Sequence, residues 1–306
     1  MKTPPPADTL SETEFAQLKD YFRRSTLTPV RTFGEDAQSK LDMGKVIGGL
    51  QSLGPLKVLL PDDRLMQGAF EVGVYPWVRI CRLEIRYADR NNKPISEPVI
   101  GTGWFAGPKT IITAGHNLYE VGWERRDRAD GPAMGIMADI WIGYRQGNAL
   151  GHVQSADFHV HDEWRSFIDT NPVESVKRSQ LDLGCIQLSG AVFDFPRYFD
   201  LNAATNAELS GQAATISGYP TDIDGGEVQH RATAQIGEVS PTFFYHGIDT
   251  GRGQSGAPVW LGGTDVAQPS IVGIHTGGDD DERHNWALRM TPGVKAKIQQ
   301  WVAENP

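Results

Sequence analysis

The chain has 306 residues, 39% of them apolar, with 34 Gly and 19 Pro, a composition that suits a turn-rich globular protein with a sizeable core and not a disordered one. Its 29 basic and 38 acidic residues leave a net charge of −9, which argues against nucleic acid as a partner, because phosphate binding needs a basic face. No run of about 18 apolar residues is present, so the sequence offers no helix to cross a membrane. The opening Met1-Lys2-Thr3-Pro4-Pro5-Pro6-Ala7-Asp8 lacks the apolar region of a secretory signal, which points to the cytoplasm or to a signal already removed. Cys81 and Cys185 lie in apolar strand-like runs and are expected as buried free thiols, not as a disulfide framework.

Residues 1–57 differ from the rest. Ser11 reads as an N-cap with Glu14 completing a capping box, and Leu10 and Phe15 occupy hydrophobic-staple positions. Phe15, Leu18 and Phe22 then recur at helical spacing, so a short amphipathic helix is expected over Glu14–Arg24. The weakly patterned stretch to Pro55 completes an extension or pro-segment docked on a larger body.

From Val58 the pattern changes to short strands between turns. In Trp77–Arg86, Cys81, Leu83 and Ile85 alternate with Arg82, Glu84 and Arg86, the signature of a half-buried strand. Val99–Ala106 and Thr110–Ala114 flank Gly107-Pro108-Lys109, an expected hairpin. Further strands are expected near Ala138–Tyr144, Leu183–Leu188, Ala213–Ile216, Ala232–Val239, Val259–Leu261 and Ile271–His275, and large surface loops at Trp123–Gly131 and Trp164–Ser179. Such spacing fits β-barrels or a sandwich. The chain closes on a helix: Thr291 is its N-cap, Pro292 suits the first position, and Val294, Ile298, Trp301 and Val302 share a face.

The chemistry concentrates in Gly251-Arg252-Gly253-Gln254-Ser255-Gly256-Ala257-Pro258-Val259-Trp260. Glycines around a serine permit a tight turn in which successive N–H groups face one spot, so the loop can hold both an exposed hydroxyl and an oxyanion site. A serine hydroxyl is a weak nucleophile and needs a base oriented by a third group. Of the eight histidines, His116 stands out because it ends a strand at the small-residue turn Thr113-Ala114-Gly115-His116. For the orienting acid, Asp139, Asp157, Asp162, Asp169 and Asp182 compete, and Asp182 fits best, at a loop-to-strand junction before Leu183-Gly184-Cys185-Ile186.

Together these segments resemble the chymotrypsin-fold serine proteases, within them the glutamyl endopeptidase (V8-like) branch. Gly101-Thr102-Gly103-Trp104-Phe105 with Ile111-Ile112-Thr113-Ala114-Gly115-His116 is similar to the family's histidine motif, Asp182-Leu183-Gly184 to its aspartate motif, and Asp249–Val259 to its serine motif. Gly218-Tyr219-Pro220 and Ile271–Gly278 resemble further signatures of the branch, and Val58-Leu59-Leu60-Pro61-Asp62-Asp63-Arg64 resembles the start of its mature chain. The resemblance covers about residues 58–303. It implies an all-β fold of two six-stranded antiparallel barrels, with an N-terminal helical extension and a C-terminal helix. The implied divisions are 1–57 for the extension or pro-segment, 58–195 and 196–290 for the barrels, and 291–306 for the helix. It further implies Ser255 as nucleophile, His116 as general base and then acid, Asp182 as its orienting partner, and the N–H groups of Gly253 and Ser255 as oxyanion donors.

The resemblance also bears on substrates. His275 and Thr250 match residues that contact an acidic P1 side chain, while Thr276, Gly277 and Gly278 would pair with substrate backbone as an added strand. Against this, Asp249 sits six residues before Ser255, the offset at which trypsin-like members select Arg or Lys, and the run Asp279-Asp280-Asp281 adds negative charge. Cleavage after Glu is the favoured expectation, with trypsin-like cleavage through Asp249, or a non-catalytic binding module, as alternatives. An esterase of the α/β-hydrolase type fails at position 257, where its Gly-x-Ser-x-Gly elbow needs glycine and the chain has alanine. Gln254 replaces the aspartate that trypsin-like members pair with a new N-terminus. His159 and His161 alternate along one strand, but no further ligand accompanies them, so no metal and no cofactor is expected. The expected partners are a protein or peptide substrate and an activating protease that cuts after Lys57. The family resemblance implies secretion.

Overall fold

The computed structural model describes residues 62–68, 71–88, 98–120, 133–170, 176–193, 197–264, 266–279 and 284–306. The expected N-terminal helix, the segment around Val58 and the loop Trp123–Gly131 lie outside these residues.

The first described strand, β1 (Leu65–Met66), precedes a sheet formed by β2 (Ile80–Ala88), β3 (Val99–Phe105), β4 (Thr110–Thr113), β5 (Tyr119–Glu120), β6 (Ala133–Ile142), β7 (Gly151–Ser155), β8 (Asp157–Val160) and β9 (Gly184–Gln187). Two helices, α1 (Trp164–Thr170) and α2 (Val176–Leu181), separate β8 from β9. The order is β6-β2-β3-β4-β9-β8, with β7 on the other edge of β6. Because β7 runs into β8 with only Ala156 between them, one bent strand pairs with β6 at its start and β9 at its end. That bend closes the first barrel.

The second half contains β10 (Asp200–Leu201), α3 (Asn206–Leu209), β11 (Ala213–Gly218), α4 (Thr221–Asp224), β12 (His230–Val239), β13 (Phe243–His246), β14 (Pro258–Leu261), β15 (Ser270–Asp279), β16 (His284–Arg289) and the terminal helix α5 (Pro292–Glu304). Here the path β12-β11-β14-β15-β16-β13 returns to β12, so six antiparallel strands form a closed barrel. This is the two-barrel, all-β architecture with a C-terminal helix that the sequence implied.

Alternation along the strands fills three cores. Leu83, Ile85, Phe105, Ile111, Ile140 and Ile186 fill the first barrel. Ile216, Ile236, Phe244, Val259 and Val272 fill the second. Neighbouring positions on the opposite strand faces, such as Ile80, Trp104, Ile112 and Trp260, join Ile274, Ile298 and Trp301 in the cluster between the barrels. Trp260 lies 5.6 Å from Trp77 and 6.3 Å from Phe199, centroid to centroid. Truncating one such buried aromatic typically costs about 3–5 kcal/mol.

Some expectations change. Trp77–Arg79 is a short 3-10 turn, and the strand begins at Ile80. Arg82, expected to face water, is buried with its guanidinium paired to Glu84 and lying over the Tyr144 ring, because this face of β2 is covered. The Trp164–Ser179 region is not an open loop: α1 buries Trp164, Phe167 and Ile168 against Leu181. Leu65–Met66, assigned by the sequence boundaries to the first barrel, pairs instead with Arg231 and His230 of the second. Conversely, α5 reaches back to the first barrel. Thr291 caps it by accepting the Val294 N–H, Gln187 Nε2 donates to Trp301 O, and Asn305 Nδ2 donates to Leu188 O.

Candidate active site

The 249–258 loop leads into β14 and is held against the first barrel by backbone geometry. Gly253 and Gly256 have φ of +87° and +90°, a region that L side chains rarely adopt. Space forbids a side chain as well: a Cβ on Gly256 would stand 2.2 Å from Thr102 O, and one on Gly253 would stand 2.3 Å from Tyr219 O. Ser255 O accepts the Thr102 N–H at 3.0 Å and Asn117 Nδ2 at 2.9 Å. The serine is thereby fixed beside the turn that carries His116. Its own hydroxyl makes no hydrogen bond among the described residues, and no acceptor there reaches the N–H of Gly253 or Ser255.

His116 lies in a 3-10 turn directly after β4. Asp182, in the bend between α2 and β9, accepts its ring Nδ1 at 2.7 Å through Oδ2 and its backbone N–H at 2.8 Å through Oδ1. With Asp182 at 3% exposure this double contact is shielded from water. It sets the ring so that Nδ1 faces the acid and Nε2 is left for another partner. Burial pulls the imidazole pKa down, but the Asp182 carboxylate outweighs burial, so the net shift is upward.

The expected substrate-reading residues occupy one region with unusual polar bookkeeping. His275 and Thr250 are fully buried, and neither imidazole nitrogen nor the threonine hydroxyl has a partner among the described residues. Burial, with the nearby His116 charge adding to it, pushes the His275 pKa down to about 3. His246, which the sequence reading did not single out, stands 5.4 Å from His275, ring to ring, with both nitrogens equally unpartnered. Nothing in its own segment marks it, since it alternates in β13 like any core residue. Thr276, Gly277 and Gly278 follow in β15. There β16 still pairs on one side, while β14 pairing ends at Ile274. The other edge is therefore unladdered among the described residues. Asp249 is buried, and its Oδ2 accepts the Asp63 N–H at 2.9 Å. It thus anchors the first described residues. Arg64 strengthens that anchor by bridging Asp62 and Asp222.

Three other residues escaped notice as site residues. Thr102, Thr113 and Asn117 link the two barrels: Thr102 Oγ1 donates to Gly253 O, Thr113 Oγ1 donates to Thr102 O, and Asn117 Nδ2 donates to Thr113 Oγ1. The first two lie inside the histidine-side motifs, so position within the motif was the available signal. Gln254 folds back to accept the Gly251 N–H at 2.8 Å. His159 pairs with Asp157 at 3.0 Å, and His161 accepts the Glu163 N–H, so neither joins the site. Among the described residues no group of three or more His, Cys, Asp or Glu gathers as metal ligands.

Two closed antiparallel barrels, with a His–Asp contact on the first and a glycine-framed serine loop entering from the second, define the chymotrypsin-fold class. The model of the trypsin family matches residues 89–302, and the chain belongs to that family. It is 31% identical over 207 residues to a glutamyl endopeptidase of Bacillus licheniformis, covering 65% of this chain and 58% of that protein. The chain thus spans less than two thirds of that relative's length. An extracellular metalloprotease of Bacillus subtilis is 26% identical over 256 residues, covering 83% of this chain and 72% of that protein. Among solved structures, a Glu endopeptidase in complex with MPD superposes with a TM-score of 0.62 at 22% identity, covering 81% of this chain and 100% of that one. A thermostable serine protease, AL20, from an extremophilic microorganism gives 0.55 at 15% identity, covering 74% and 98%. These superpositions bear on the fold.

Asp182→Asn tests the electrostatics. Without the carboxylate, burial loses its main opponent, so the His116 titration moves to lower pH. The raised folded pKa stabilises the protein fully below the unfolded value, and this contribution fades as pH rises through the folded one. The variant loses it, so its deficit in thermal stability is largest at acidic pH. An NMR titration of His116, with melting curves across the same pH range, checks both.

Proposed function

We propose that this chain is a serine endopeptidase in which Ser255 attacks the peptide carbonyl, His116 takes and returns the proton, and Asp182 orients the imidazole and offsets its charge. The His116–Asp182 hydrogen bond of 2.7 Å, beside a serine loop held by Thr102 and Asn117, carries this reading. The uncommitted N–H groups of Gly253 and Ser255 suit an oxyanion site, where each donor contributes roughly 3–4 kcal/mol of barrier lowering. The serine hydroxyl needs no bond to His116 beforehand, since catalytic contacts of this kind tighten when substrate arrives.

The proposed specificity is for an acidic P1 residue. A buried donor without an acceptor is costly, and a substrate carboxylate supplies the missing acceptor to His275 and Thr250. Neutral His275 binds it as a hydrogen-bond donor, and the arriving charge raises the imidazole pKa. Both groups are covered in this structure, so the P1 side chain reaches them once the covering residues move aside. Asp249, which a trypsin-like pocket would need free for a basic P1 residue, is engaged by Asp63. The glutamyl endopeptidase relative supports the same choice. Substrate backbone adds as a strand along Thr276–Gly278.

Residues 1–57 are proposed to restrain the enzyme until an activating protease cuts after Lys57. Asp63, anchored to Asp249, lies five residues beyond Val58, a span of at most about 18 Å of extended chain. A new terminal amine at Val58 is thus within reach of the acidic-residue pocket. The site of action is proposed to be outside the cytoplasm, as the name of the Bacillus subtilis relative states for that protein. Among the described residues no helix is long and apolar enough to cross a membrane.

Three outcomes follow. Ser255→Ala keeps the fold and loses on the order of 10⁶ in kcat; a variant that retains several per cent of wild-type cleavage overturns the assignment. His275→Ala lowers kcat/KM on Glu substrates about 10- to 100-fold, the worth of a hydrogen bond to a charged group, and spares other P1 residues. Preferential cutting of Arg or Lys substrates by the parent protein would return the pocket to Asp249. A protein beginning at Val58 cleaves Glu substrates faster than the full chain; equal rates from two folded samples remove the pro-segment role.

A further inference from the structure

Beside the His116–Asp182 contact lies a buried ion pair that the proposed chemistry does not use. Glu120 ends β5, four residues after His116, and Arg178 lies in α2, four residues before Asp182. The two side chains are each 9% exposed. Their contact is two-pronged: Arg178 Nη1 donates to Glu120 Oε1 at 3.1 Å and Nη2 to Oε2. The guanidinium also lies 5.4 Å from the centroid of the Trp164 ring, and the Trp164 indole N–H donates to Tyr119 O at 2.7 Å. The pair is therefore embedded in a small core of its own, made by α1, α2 and β5.

Burying two charges is expensive, and well-packed apolar residues commonly serve stability as well or better. What such a pair supplies that apolar packing does not is a fixed orientation and a local field. Here its two ends are attached to the chain segments that bear the histidine and the aspartate. We propose that the Glu120–Arg178 pair is a positioning clamp for the His116–Asp182 dyad: it ties the chain just after the histidine to the chain just before the aspartate, and holds a balanced pair of charges beside the imidazole.

This rests on the reading of His116 and Asp182 as catalytic, and the electrostatic half can be read without catalysis. The charged and titratable groups facing His116 are Asp182, Glu120, Arg178 and His275. Those facing Glu120 are Arg178, His116, Asp182 and Tyr87, whose hydroxyl donates to Asn117 O. Glu120 favours the imidazolium and Arg178 opposes it, so the two charges of the intact pair work against each other and a half pair leaves one unopposed.

The experiment uses Glu120→Gln, Glu120→Asp and the neutral double variant Glu120→Gln/Arg178→Gln. Each is made in the full chain, once with Ser255 and once with Ser255→Ala. In the Ser255→Ala background, NMR follows the His116 ring titration. Glu120→Gln leaves the Arg178 charge alone and moves that titration to lower pH; the double variant brings it back, and Glu120→Asp stays near the parent. In the Ser255 background, Glu120→Gln lowers kcat on the order of 10- to 100-fold with KM little changed, as expected for sub-ångström misplacement. The acidic limb of its rate profile moves with the titration, and Glu120→Asp restores most of the rate. Folded Glu120→Gln protein with the parent's His116 titration and kcat overturns the proposal. So does an activity loss that merely follows the unfolded fraction. Where Glu120→Gln does not fold, parent-like kcat in the double variant overturns it. Failure of the protease reading shows separately, as absence of Ser255 labelling by a fluorophosphonate in the parent, while the NMR arm still decides the clamp.

Discussion

Thr102 joins the two barrels at three points. Its N–H donates to Ser255 O, its hydroxyl donates to Gly253 O, and the same hydroxyl accepts the Tyr219 N–H. Its carbonyl is bound in turn by the Thr113 hydroxyl, which also accepts from Asn117. Thr102, Thr113, Asn117 and Tyr219 are buried, where a broken hydrogen bond leaves a desolvated partner costing about 1–3 kcal/mol. The seam therefore tolerates little slippage. Everything proposed for the site depends on it, because the serine comes from one barrel and the histidine and aspartate from the other. Glycine at 253 and 256 is what lets the loop approach closely enough to make these bonds.

Behind the seam, electrostatics take over from packing. His116 is held by one buried carboxylate, while the fully buried His275 and His246 lack any counter-charge within hydrogen-bond reach among the described residues. Two imidazole environments of opposite character thus stand close enough for their charges to interact. A carboxylate raises the first, and burial lowers the second. In the proposed function, this division lets one residue type serve for proton transfer and for reading a charged side chain at the same pH.

Much of this was legible in the residues. Strand alternation located most of the barrel strands, Thr291-Pro292 marked the terminal helix, and the serine loop with His116 and Asp182 identified the candidate site. The Trp164–Ser179 stretch was misread because its apolar residues, although Trp164, Phe167 and Ile168 fall at i, i+3 and i+4, mark a helix of only seven residues. They form helices only by packing Trp164, Phe167 and Leu181 together, a tertiary effect that local pattern does not carry. Arg82 was misplaced because alternation tells two faces apart but not whether the second face is covered. His246 was invisible for a different reason. Its significance lies in being 5.4 Å from His275 although β16 runs between their strands, β13 and β15, a proximity set by the closure of the barrel.

The ends of the described chain cross over. β1 belongs to the second barrel although the first barrel follows it, and α5 packs on the first barrel although the second precedes it. Gly107 of the first barrel lies so close to Val302 that a Cβ there would stand 2.9 Å from it. Each barrel is consequently held by an arm from the far end of the sequence as well as by the covalent linker between them. Severing the linker near Arg197 would leave two fragments still laced together, so a molecule exposed to proteolysis gains a second line of retention. The same lacing favours cooperative unfolding, since neither barrel can open fully while the other grips its arm.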